Sequence, residues 1–122
     1  MVKEAQESYA GYNDMQNGIN EIDKITNDKN YYTFNGNNMQ FNTPTVKINS
    51  DGTFTITINY NSSSAANKAH EVKHASQIVD GKITIHKNGN QYEFRPDYTL
   101  PNLERAAYIR QYFYDKSSCQ LK

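Results

Sequence analysis

The chain has 122 residues, 36% of them hydrophobic and 21% charged, with a mean hydropathy of −0.91. That is enough for one domain with a modest core and too little for two comfortable ones. Thirteen Lys and Arg balance thirteen Asp and Glu without a basic stripe, which excludes the electrostatic footprint of a nucleic-acid binder.

No apolar run reaches membrane-spanning length, and the start, Met1-Val2-Lys3-Glu4-Ala5, lacks the charged-then-apolar pattern of a secretory signal. The expectation is a cytoplasmic protein or a domain cut from a longer secreted chain. The single cysteine, Cys119, allows neither an internal disulfide nor a cysteine-based metal site. Ten Tyr and five Phe are expected to supply much of the core, with the hydroxyls reaching its margins.

Residues Lys3 to about Asn27 place Ala5, Tyr9, Tyr12, Met15, Ile19, Ile22 and Ile25 at a nearly helical period. A helix is expected there, with breaks at Gly11 or Gly18. Short extended runs follow at Tyr31 to Phe34, Met39 to Phe41 and Val46 to Asn49. The alternation from Thr53 to Tyr60 is the strongest strand signal in the chain, and Asn49-Ser50-Asp51-Gly52 joins it to its predecessor as a hairpin. This strand is expected at the sheet edge, beside the next helix.

Ser62, Ser63 and Ser64 offer N-caps for a helix from about Ala65 to Val79, which Asp80-Gly81 ends. Ile83 to His86 and Tyr92 to Phe94 flank Asn88-Gly89 as a second hairpin. A last helix is expected from about Asn102 to Asp115, after Pro96 and Pro101. Helix, strands, helix, hairpin and helix make a single α+β domain over 1–122 with a twisted antiparallel or mixed sheet.

The strongest signal in the chain is chemical: His70-Glu71-Val72-Lys73-His74, an HExxH motif, lies inside the helix that begins near Ala65. Positions i and i+4 share a helix face, so both imidazoles can meet one cation. Glu71 lies about 100° round the helix from His70, where it reaches a water on the metal and not the metal itself. That arrangement suits zinc-assisted hydrolysis with Glu71 as general base.

A catalytic zinc needs a third protein ligand. Asp80, six residues beyond His74, has metzincin-like spacing, but Gln77 stands where that class needs a turn glycine. Glu104, thirty residues beyond His74 on the final helix, has gluzincin-like spacing and is preferred. His86 and Tyr108 are candidates to steady an oxyanion. Arg110 and Gln111, and Asp80 or Asp97, are candidates to orient the ligand imidazoles.

Ala69-His70-Glu71-Val72-Lys73-His74-Ala75-Ser76-Gln77 resembles the "AHELKHAYQ" helix of small metallopeptidase domains at the C-termini of bacterial polymorphic toxins and type VI effectors. Glu104 to Tyr112 resembles the second helix of that group, where a Glu precedes an "AYxRQ" run. The chain departs from the pattern at Ser76, where an aromatic is expected, and at Ala106, where an acid is expected. The resemblance covers about residues 53–115 and leaves residues 1–50 unmatched.

It implies a zincin-like metallopeptidase fold, a Zn2+ cofactor and Glu104 as third ligand. It further implies a protein or peptide substrate, a cognate immunity protein, and delivery into a target cell as part of a larger chain. No nucleic-acid or membrane partner is expected. Two other readings stay open: a catalytically inactive zincin-like interaction module, and a zinc amidase acting on a non-protein amide.

Overall fold

The computed structural model describes the backbone of residues 2–37 and 44–120 and the side chains of 10–37 and 44–116. The expected strand at Met39 to Phe41 lies outside the described residues. The class is α+β: α1 (Val2–Thr26), β1 (Tyr31–Asn37), β2 (Thr45–Ile48), β3 (Phe54–Asn61), α2 (Ala65–Val79), β4 (Thr84–Asn88), β5 (Gln91–Arg95) and α3 (Pro101–Gln120).

α1 runs unbroken through Gly11 and Gly18. Both glycines serve close approach instead. A Cβ on Gly18 would lie 2.7 Å from Arg110 Nη1, and one on Gly11 would lie 2.8 Å from Phe113 Cδ1. The missing side chains let α3 pack against α1, at the ordinary helical cost of glycine.

α2 has the limits its sequence implies. Ser64 Oγ accepts from the Asn67 backbone N–H, and Asp80 is the C-cap, with Gly81 beyond it at φ 79°. The two hairpins form as expected: β2 pairs antiparallel with β3, and β4 with β5. They lie in separate sheets, a three-stranded one in the order β1-β3-β2 and a two-stranded one.

The placement of residues 53–60 at the edge is corrected. β3 is the central strand, parallel to β1 on one side and antiparallel to β2 on the other. Its alternation reflects one face fully buried: Ile56 and Ile58 are 0% and 1% exposed, as a strand flanked by neighbours and covered by a helix requires.

Those two isoleucines form the core with Ile25 from α1 and Ala75 from α2. Ala75 brings the α2 backbone close to the sheet, and that fixes which way the remaining α2 side chains face. Tyr32, Phe34, Phe54 and Phe94 pack around this centre. The other aromatics are less committed to it: Tyr12, Tyr31, Tyr108 and Tyr112 are all exposed. Leu103 and Ala107 seat α3. No helix among the described residues is long and apolar enough to cross a membrane.

Candidate metal centre

His70 and His74 leave α2 one turn apart, their rings edge-to-face with centroids 5.0 Å apart. Both residues are buried, at 8% and 4% exposure. α3 lies against this face and brings Glu104 to them. Glu104 Oε1 is 3.1 Å from His70 Nε2 and 2.6 Å from His74 Nε2. Among the described residues these three could hold one metal ion, since their ligand atoms all lie within 4.8 Å of one another.

The opposite nitrogen of each ring is held by a carboxamide. Gln111 Oε1 lies 2.9 Å from His70 Nδ1, and Gln77 Oε1 lies 2.9 Å from His74 Nδ1. The orientation of the Gln77 amide follows from its other end, where Nε2 donates to the Leu103 carbonyl at 3.0 Å. Gln111 Nε2 donates to Asn67 Oδ1 at 3.4 Å. A carboxamide oxygen only accepts, so each Nδ1 carries a proton. A neutral ring protonated at Nδ1 then presents a lone pair at Nε2.

Three electron-rich atoms therefore converge: two imidazole nitrogens and a carboxylate oxygen. With both rings neutral, a cation shared between them would relieve their mutual repulsion. Burial is the largest cause holding the His70 pKa below its usual value. His74 adds to that lowering, against the opposing pull of Glu104 and Gln111. The donor set of two nitrogens and one carboxylate fits a zinc-sized dication.

Glu71, on the adjacent face of α2, is not part of this group of three. Burial pushes its carboxyl up to about 7, opposed by His74 and reinforced by the Glu104 charge. A carboxyl with affinity for protons near neutrality can take one and return it. Beside it lies a recess of about 10 Å³, the room of one water, with Pro44, Ile58, His74, Phe94 and Tyr98 in its walls.

The remaining candidates separate clearly. Tyr108 stacks edge-on against His70, centroids 4.5 Å apart, with 57% of its surface exposed. Asp80 stands at the far end of α2, 3.8 Å from Lys24 Nζ, and is not in the ligand group. His86 is exposed on β4 and bonds Thr84 Oγ1. Asp97 accepts from the backbone and hydroxyl of Thr99. The acceptor role offered to Asp80 or Asp97 thus falls to the two glutamines. Arg110 turns away from the ligands into an ion cluster with Asp14 and Glu21.

Two residues at the site escaped the sequence reading. Gln77 follows His74 by three residues, one helical turn, a spacing that was readable. Tyr98 packs edge-on against His74 at 5.5 Å from the loop after β5, and no periodicity announces a loop residue. Burial is the largest cause raising its phenol pKa, with Glu71, Asp97 and Glu104 adding to it, so it stays a proton donor. Comparison of the chain with protein-family models, curated proteins and solved structures finds no match, and the functional reading rests on this geometry.

Proposed function

We propose that the protein is a zinc-dependent metallopeptidase of gluzincin-like arrangement, with His70, His74 and Glu104 as ligands and Glu71 as general base. The observation that carries this reading is the convergence of His70 Nε2, His74 Nε2 and a Glu104 carboxylate oxygen, with each Nδ1 facing a carboxamide oxygen of Gln111 or Gln77. Bound there, zinc would acidify a water and polarise a substrate carbonyl. Glu71 takes a proton from the attacking water and delivers it to the departing amine. Tyr98 and Tyr108 are the candidates to donate to the developing oxyanion, and the half-buried Tyr98 is the better placed.

The recess wall at Pro44 leads directly into β2, an outer strand of its sheet. An extended peptide could add to that strand through main-chain hydrogen bonds. This moves the substrate-pairing role from β3, whose two sides are both paired, to β2. The setting proposed from the motif resemblance is a toxin or effector domain acting on a target-cell protein and restrained by an immunity protein.

Zinc content and peptide hydrolysis test the reading together. One zinc per chain is expected, lost in His70→Ala or His74→Ala. Glu71→Gln is expected to keep the metal and to lose at least about 100-fold in rate, within the range for a general base. A protein that binds no zinc after reconstitution overturns the proposal.

A further inference from the structure

Beneath the metal centre lies a second set of charges that the chemistry does not use. Glu21 of α1 is 8% exposed, and its two carboxylate oxygens face different helices. Oε1 accepts from Lys73 Nζ of α2 at 2.5 Å, and Oε2 accepts from Arg110 Nη1 of α3 at 2.7 Å. Arg110, 3% exposed, also donates through Nε to Asp14 Oδ2 at 2.6 Å. Two acids and two bases are thus balanced between three helices.

The positions of the two bases matter. Lys73 sits inside the motif, next to His74. Arg110 sits next to Gln111, the residue that holds His70, and on the helix that carries Glu104. One carboxylate therefore links the ligand pair on α2 to the ligand on α3. We infer that Glu21 is a positioning residue for the metal centre: its carboxylate, bridging Lys73 and Arg110, sets the distance between the histidine helix and the glutamate helix.

Two details show that the bridge is built to this spacing. Gly18, one turn before Glu21, leaves the space that the guanidinium occupies, since a Cβ there would lie 2.7 Å from Arg110 Nη1. Arg110 Nη2 is buried with no hydrogen-bond partner among the described residues. Among the described residues the guanidinium is held by Glu21 and Asp14, and losing Glu21 leaves a poorly compensated buried cation. Lys24 and Asp80 also join α1 to α2, but with a 3.8 Å separation and away from the ligands.

This inference rests on the proposed zinc site, and the test separates the two. Glu21→Gln keeps the shape and removes the charge; Lys24→Ala removes the other α1–α2 ion pair. Zinc affinity is measured by chelator competition, and site geometry by the visible spectrum of the cobalt(II)-substituted protein. Glu21→Gln is expected to weaken zinc binding about 10–100-fold, as loss of outer support does, and to alter the cobalt spectrum. Lys24→Ala is expected to stay within about twofold.

Zinc affinity within twofold of wild type and an unchanged cobalt spectrum for Glu21→Gln overturn the inference, whatever happens to the melting temperature. Should Glu21→Gln fail to fold, the Glu21→Met/Lys73→Met/Arg110→Met variant removes the bridge together with both of its bases and puts apolar groups in their place, and the same two readouts decide. Should the wild type bind no zinc, the metallopeptidase reading fails by itself. The metal-free imidazole signals of His70 and His74, followed by NMR, then decide the inference: shifted in Glu21→Gln they support it, and unchanged they overturn it.

Discussion

The carboxamide of Gln77 and the imidazole of His74 meet at 2.9 Å, one turn apart on α2, and the same amide reaches across to the Leu103 carbonyl of α3. One side chain therefore selects the tautomer of a candidate ligand and ties together the two helices that carry the site. Both residues are buried, at 3% and 4% exposure, so water cannot replace either bond cheaply.

Gln77→Leu is expected to leave the His74 Nδ1–H and the Leu103 carbonyl without partners. Each unsatisfied buried group costs about 1–3 kcal/mol, so a drop of that order in unfolding free energy is expected by urea titration. Zinc affinity should fall about 10–100-fold in the same variant. Gln77→Leu with wild-type affinity would show that the amide only fills space.

Tyr98→Phe and Tyr108→Phe should differ. Each substitution removes one hydroxyl and keeps the ring against its histidine. Loss of one oxyanion donor costs about 10²–10³ in kcat, and that loss is expected for Tyr98→Phe with KM little altered. Tyr108→Phe, at a ring 57% exposed, is expected to stay within about threefold. Steady-state kinetics on one peptide substrate ranks the pair.

Gly18→Ala tests the packing of α1 on α3. Alanine is favoured over glycine inside a helix by about 1 kcal/mol, so propensity alone predicts stabilisation. The new methyl would meet Arg110 Nη1 at 2.7 Å, and that nitrogen is held by Glu21. A guanidinium anchored in this way cannot swing aside. The steric term is expected to win, with net destabilisation of about 1–3 kcal/mol, measured by urea titration.

The Glu21 cluster also sets a pH dependence. Burial raises the Glu21 carboxyl, but hydrogen bonds and charge from Lys73 and Arg110 outweigh it and leave the pKa lowered from 4.5. The unfolded chain then binds more protons than the native one in that range, so stability rises with pH there. The contribution is complete above about 4.5 and is lost as pH falls through the lower folded value. Unfolding free energies between pH 3 and 6 are expected to fall toward acid in the wild type. The slope should be shallower in Glu21→Gln.

Much of this was legible in the chain because it is local. Capping by Ser64, the alternation of β3, the two hairpin turns and the shared face of His70 and His74 all follow from spacing within one element. The α+β class follows from the order of those elements. Even Gln111 was readable as a support for the candidate ligands, two turns beyond Glu104 on the same face.

What the tertiary structure decided is which distant elements meet. β3 became the central strand because β1 pairs with it in parallel, a non-local choice that alternation within β3 does not encode. Glu104 became the residue facing His70 and His74, and Asp80 did not, because α3 packs against α2 while Asp80 caps the far end of α2. Gly18, a sequence signal for a helix break, turned out to admit Arg110. Two candidate ligands and the candidate general base lie within five consecutive residues; the third candidate ligand and the ion cluster around Glu21 come together only once the helices are packed.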